Sequence, residues 1–263
     1  MKFICTFTGV DSYTINNNLT ELLQLSRKYP FIEWGVLFSM TRAGQDLKYP
    51  AARDICKFTQ ALYSAAYAES GFHVRRSLHL CGSAARKFLT LESAKDSMLI
   101  HDLVGQFDRI QLNINAKEQT FEIKPTILRQ LAIFFRPIII QYNNNNKELI
   151  EEFGVEKYMD IHILKDASGG NGIVNSDVSI PDVCKYSQIG FAGGMGPENI
   201  ETIFPNIYES VMANNIDGDF ENSGFWIDME TRVRNAAGHF DLEKVNKVAE
   251  FLSSYLKDKS VEF

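Results

Sequence analysis

Short apolar runs recur eight times along this chain, and that rhythm constrains its fold more than any other feature. The runs fall at residues 3–8, 33–39, 77–81, 109–113, 137–142, 160–164, 188–192 and 225–229. Each is rich in Val, Ile, Leu, Phe, Tyr or Trp and closes on polar or glycine-rich residues, as strands do. Helical patterns lie between them, at 19–28, 50–70, 84–104, 123–135, 147–153, 197–213 and 241–257. The Asn run before residue 19 and the prolines Pro50 and Pro197 mark expected helix starts. After the sixth run the helix signal is poor, with Pro181 and only residues 183–186 left to turn once. Strand–helix alternation implies parallel pairing through right-handed crossovers. An open doubly wound sheet and a closed barrel both accept that order. The count of eight and the length of 263 residues favour the barrel: α/β class, a single (β/α)8 TIM barrel, one domain over residues 1–263. The turn after the first run, Thr6-Phe7-Thr8-Gly9-Val10-Asp11, also lacks the GxGxxG of a dinucleotide-binding open sheet.

Composition removes several functional classes. A hydrophobic fraction of 45% excludes a disordered chain. A net charge of -6 leaves no basic excess with which to neutralise phosphates, so nucleic acid is not an expected partner. Cys5, Cys56, Cys81 and Cys184 are far apart with no CxxC pair, against a zinc knuckle or a disulfide scaffold. The longest apolar stretch, 131–140, is interrupted by Arg136 and Pro137 and is too short to cross a membrane. The first residues reach the polar Asp11-Ser12 too soon for a signal peptide. The expectation is a soluble cytoplasmic protein with reduced thiols.

Parity sorts the strand residues. Alternate side chains of a barrel strand point inward, and the C-terminal strand ends carry the site. On the fourth strand Gln111, Asn113 and Asn115 share one face, opposite Ile110, Leu112 and Ile114; the apolar set must pack on helices, so the polar set faces in. The same reasoning groups Ser77, His79 and Cys81, then Asp160, His162, Leu164 and Asp166, then Trp226, Asp228 and Glu230. Such groups are costly to bury unless they bond one another or meet a small polar ligand at the barrel mouth. His79 and His162 would suit zinc or iron if their strands aimed them together, and read otherwise as core histidines. Trp34 and Trp226 read as packing residues.

Glycine supplies a second signal. Ser168-Gly169-Gly170-Asn171-Gly172 follows the sixth strand, and Gly193-Gly194-Met195-Gly196-Pro197 follows the seventh and runs into a helix. Paired glycines let backbone N–H groups approach an anion, and a helix N-terminus adds a favourable dipole. Phosphate is commonly held at this end of a barrel.

Residues 191–200, FAGGMGPENI, resemble the AGGLxPENV segment of phosphoribosylanthranilate isomerase, a ribulose-phosphate-binding barrel of tryptophan synthesis. Ile163-Leu164-Lys165-Asp166 with the Gly169-to-Gly172 loop resembles that family's LLD…GGTG pattern. Residues 227–234, IDMETRVR, and 238–245, GHFDLEKV, parallel VDVSSGVE…GxKDxxKV; Ile110-Gln111-Leu112 is similar to VQLHG, and Lys2-Phe3-Ile4-Cys5 to KICG. The likeness is densest over about the last hundred residues. It implies an Amadori-type aldose-to-ketose rearrangement of a phosphoribosyl amine, without metal or organic cofactor. In that family a cysteine at the end of the first strand is the general base and an aspartate at the end of the sixth the general acid. Carried over, these are Cys5 and Asp166. On their own, Cys5 reads equally as a small buried strand residue and Asp166 as a cap on the glycine loop. Arg42 falls where the family keeps an arginine for the substrate carboxylate. Gln111, Gly169, Gly170, Gly193, Gly194, Glu230, Thr231 and Arg232 complete the implied phosphate and substrate set. Two departures stand out: Glu230-Thr231-Arg232 replaces the family's small residues, and Thr6 follows Cys5 where the family has glycine. The implied partner is a small phosphorylated-sugar substrate, with neither nucleic acid nor membrane, on a monomer or homodimer. The alternative is a divergent barrel that binds a small phosphorylated or anionic ligand without this isomerase activity.

Overall fold

Eight parallel strands close into one barrel in chain order, β1-β2-β3-β4-β5-β6-β7-β8, with β8 returning to β1. They are β1 (Lys2–Thr8), β2 (Ile32–Phe38), β3 (Arg75–Cys81), β4 (Arg109–Asn113), β5 (Ile138–Tyr142), β6 (Ile161–Asp166), β7 (Ile189–Ala192) and β8 (Gly224–Met229). The helices are α1 (Ser12–Asn17), α2 (Leu19–Lys28), α3 (Ala52–Ala68), α4 (Ser83–Thr90), α5 (Ala94–Val104), α6 (Ile123–Phe134), α7 (Lys147–Phe153), α8 (Ile200–Asn214) and α9 (Leu242–Leu256). This computed structural model describes residues 2–90, 94–153, 160–166, 177–181, 188–214, 224–257, 259 and 261. The fold is the (β/α)8 barrel that the alternation predicts. Among the described residues no helix is long and apolar enough to cross a membrane.

The helices form where an apolar stripe meets a cap. In α9, Val245, Val248, Ala249, Leu252 and Leu256 recur at helical spacing and are buried, and the Asp241 carboxylate accepts from the N–H groups of Glu243 (3.0 Å) and Lys244 (3.2 Å). Their target is the outward face of the sheet. There Phe3 and Phe225 lie 5.0 Å apart and meet Phe204 of α8. Each such ring buries enough apolar surface to contribute about 1.5–3 kcal/mol.

The structure corrects several boundaries. The helix expected over 84–104 is two helices, α4 and α5. Pro50 precedes the α3 N-cap, Ala51, and Pro197 lies in the turn before α8. An added short helix, α1, is capped by Asp11, whose carboxylate accepts from Thr14 N–H at 2.8 Å. The expected single turn near 183–186 lies outside the described residues.

Inside the barrel the N-terminal half is filled by an ion pair and an indole. Arg109 donates to Glu33 through Nε (2.9 Å) and Nη2 (2.7 Å), and its guanidinium lies 4.6 Å from the Trp226 ring centre. Thr6 also donates to Glu33, at 2.9 Å. Trp226 fits because β7 presents Gly190 beside it; a Cβ there would overlap the indole. Above this packed layer the barrel opens.

Candidate functional site

The opening is a cavity of about 530 Å³ at the C-terminal ends of the strands. Two carboxylates reach it from the barrel interior, Asp166 at the end of β6 and Asp228 near the end of β8, with 3% and 8% of their surface exposed. Parity accounts for both: β6 turns His162, Leu164 and Asp166 inward, and β8 turns Trp226 and Asp228 inward. Thr8, at the end of β1, donates to Asp228 Oδ1 at 2.6 Å. Gln141 of β5 donates to Asp166 Oδ2 at 3.5 Å. Burial, then the negative charges of Glu230, Glu33 and Asp166, push the Asp228 carboxyl up to about 7, against the pull of the Thr8 hydrogen bond. A carboxyl in that range exchanges its proton near neutral pH, which is what acid–base chemistry requires.

Cys5 and Asp166, the pair expected across the mouth, are not brought together. Cys5 shares the outward face of β1 with Phe3 and Phe7; all three are sealed in the layer between sheet and helices, Cys5 with 0% of its surface exposed. Burial, with Asp228 and Glu33 behind it, raises the thiol well above its ordinary range, away from a reactive thiolate. The β1 residue that reaches the site is Thr8, through its hydrogen bond to Asp228.

One side of the mouth is glycine-rich. Gly193 (φ 122°) and Gly194 (φ 59°) turn the chain after β7 through backbone conformations that side chains disfavour. Asn199 pins the following turn, accepting from Gly196 N–H (2.9 Å) and donating to the Gly194 carbonyl (2.8 Å). Thr231 and Arg232 line the same side, in a short 3-10 turn after β8. Arg232 stands 4.0 Å from Glu198, a loose pair in water. Glu230, in place of a small residue, is matched by Lys48 at 2.7 Å, which crosses from the loop after β2. Gly169 and Gly170 lie outside the described residues.

The strands of the opposite side bring polar, uncharged groups. His79 and Cys81 of β3, Gln111 and Asn113 of β4, and Gln141 of β5 reach the cavity. Burial pushes His79 down to about 4, so its imidazole is neutral at physiological pH. Arg42, exposed at the rim, stacks on Tyr49 with its guanidinium 4.0 Å from the ring centre. His79 and His162 stand on β3 and β6, three strands apart, and His162 lies with its ring 5.9 Å from that of Trp226. Among the described residues no group of three His, Cys, Asp or Glu side chains could hold a metal ion.

No family model matches this chain, and no curated protein does. Solved structures do. Phosphoribosylanthranilate isomerase from Thermus thermophilus is 16% identical, with 97% of this chain and 100% of that one covered at a TM-score of 0.53. The isomerase from Thermotoga maritima, a dimeric protein studied as engineered monomers, is 14% identical over 97% and 100%, at 0.55. Phospho-2-dehydro-3-deoxyheptonate aldolase from Thermotoga maritima is 12% identical over 99% of this chain and 72% of that one, at 0.56. At these identities the likeness is one of fold, and the reaction must be argued from the site.

The sequence reading missed Thr8, Lys48 and Tyr49 as site residues. Thr8 carried a signal: Phe3, Cys5 and Phe7 form the apolar face of the first strand, which belongs against helices and leaves Ile4, Thr6 and Thr8 inside. Lys48 and Tyr49 carried none, since a loop that folds over the mouth declares no period.

Proposed function

We propose that this chain is a single-domain acid–base enzyme that isomerises a small phosphorylated sugar, aldose to ketose, with Asp228 and Asp166 as the proton-transfer pair. The observation that carries this reading is Asp228, a buried carboxyl poised near neutrality in the same cavity as a second buried carboxyl. In an Amadori-type step a proton leaves the sugar C2 and another reaches the ring oxygen. Asp228, held through Oδ1 by Thr8 and keeping its proton up to about pH 7, delivers the second, and Asp166 takes the first. The backbone at Gly193 and Gly194, with Thr231 and Arg232, supports a phosphate on the β7–β8 side. The isomerases of similar fold are named for a phosphoribosyl substrate, which agrees with such a ligand. Thr8 at the strand end, in place of a thiol, leaves both proton transfers to carboxyl groups.

The test is a kinetic series on phosphoribosylanthranilate and related aminosugar phosphates. Asp228→Asn and Asp166→Asn are each expected to lower kcat/KM by at least about 10²-fold. The wild-type kcat/KM is expected to fall as the pH rises above about 7, where Asp228 loses its proton. Gly193→Val is expected to abolish phosphate binding, because a Cβ forces the φ of 122° to change. Phosphate binding without turnover of any of these substrates would reduce the protein to a binding barrel and overturn the enzymatic reading.

A further inference from the structure

Opposite the anion side, the barrel order places β4 four strands from β8. The side chains that reach the cavity from β3, β4 and β5 are an imidazole, a thiol and three carboxamides. Gln111 is the most telling of them. It is 3% exposed, lines the cavity, and its Oε1 has no hydrogen-bond partner among the described residues. A buried acceptor left unmade is costly, so the site is incomplete without a donor.

The identity of that open atom follows from a relay. Gln111 Nε2 donates to Asn113 Oδ1 (2.9 Å), and Asn113 Nδ2 donates to Cys81 Sγ (3.2 Å). The Cys81 thiol is directed at the His79 carbonyl (3.6 Å). Turning the Gln111 amide over would set two carbonyl oxygens against each other, and turning Asn113 as well would give up its donation to Cys81 Sγ. The relay therefore leaves an unpartnered acceptor buried in the cavity wall. No charged side chain enters the cavity from these three strands, and His79 is neutral there. A neutral group that donates hydrogen bonds suits these strands; the nearest cation on this side is Arg42, stacked on Tyr49, which packs against Cys81.

We infer that the β3–β5 wall is a subsite for the hydroxyl-bearing chain of the ligand, with Gln111 Oε1 accepting from a ligand hydroxyl. The substrate is then a polyhydroxylated phosphate ester, its phosphate at β7–β8 and its far hydroxyls at β4, spanning the two carboxylates. This rests on the phosphate reading above and adds the polarity of the other end, which an apolar aryl group would leave unsatisfied.

Calorimetric titration of the full chain tests it with four probes: ribitol 5-phosphate, pentyl phosphate, inorganic phosphate and ribitol. Ribitol 5-phosphate is expected to bind at least about tenfold more tightly than pentyl phosphate, which has the chain length without the hydroxyls. Gln111→Met keeps length and volume, and is expected to shrink that preference to about threefold or less while leaving inorganic phosphate affinity unchanged. Should that variant fail to fold, Asn113→Ser breaks the relay from a less buried position and is expected to shrink the same preference. Equal affinity for the two esters in the wild type, or a preference that survives in a folded variant, overturns the subsite. Failure of the phosphate reading shows separately: inorganic phosphate would not bind while ribitol binding stayed dependent on Gln111. Ribitol binding indifferent to Gln111 would overturn the subsite in that case too.

Discussion

Asp228 shows how one carboxyl ties stability to chemistry. Its folded-state pKa of about 7 lies above the roughly 3.9 of an unfolded aspartate. Between those values the folded chain binds more protons than the unfolded one, so raising the pH favours unfolding. The stability present below about pH 4 is lost progressively as the pH rises to about 7. Asp228→Asn cannot lose it. Denaturant melts are expected to show this variant more stable than wild type at pH 8, by an amount on the order of a few kcal/mol, with the difference shrinking to the cost of the substitution itself at pH 4. An equal difference at both pH values would mean that Asp228 titrates as an ordinary aspartate. Its inward placement was legible because its neighbours on β8, Phe225, Ile227 and Met229, form an unbroken apolar face. Its pKa was not legible, because that depends on Glu230, Glu33 and Asp166 from three separate parts of the chain.

At the scale of elements, β7 and β8 fit through one deletion of volume. Gly190 faces the Trp226 indole, its register partner. Gly190→Ala is expected to destabilise by about 1–3 kcal/mol, as overpacking does, and Trp226→Phe in the same chain to recover part of that loss. Additive losses in the double variant would show that the two positions do not meet. Periodicity revealed the strands because each outer face is apolar, and β4 keeps the predicted bounds, Arg109–Asn113. Where a face reads apolar the same rule must apply to every strand. Applied to β1 it sends Phe3, Cys5 and Phe7 outward together, which is where they lie.

For the molecule as a whole, closure depends on chain ends that are distant in sequence. Asp11, after β1, accepts from Thr14 N–H (2.8 Å) and from Phe240 N–H (3.0 Å), and stands 4.0 Å from Arg234 beyond β8. Arg234 donates in turn to the Gly9 carbonyl at 2.9 Å. Asp11→Ala removes a helix cap and leaves a buried guanidinium short of its counter-charge, a loss of about 2–3 kcal/mol. For a chain of this size the melting temperature is expected to fall by about 5–10 °C. A fall of a degree or less in a calorimetric scan would show that β1 and β8 hold without this clasp.

The ion pair of Arg109 with Glu33, roofed by Trp226, has a consequence for traffic. The described interior is stoppered at its N-terminal end, so the mouth serves as both entrance and exit. Whatever binds there enters and leaves by the mouth that Lys48 and Glu230 help to line. Arrival and departure share one doorway, and a lingering occupant excludes the next.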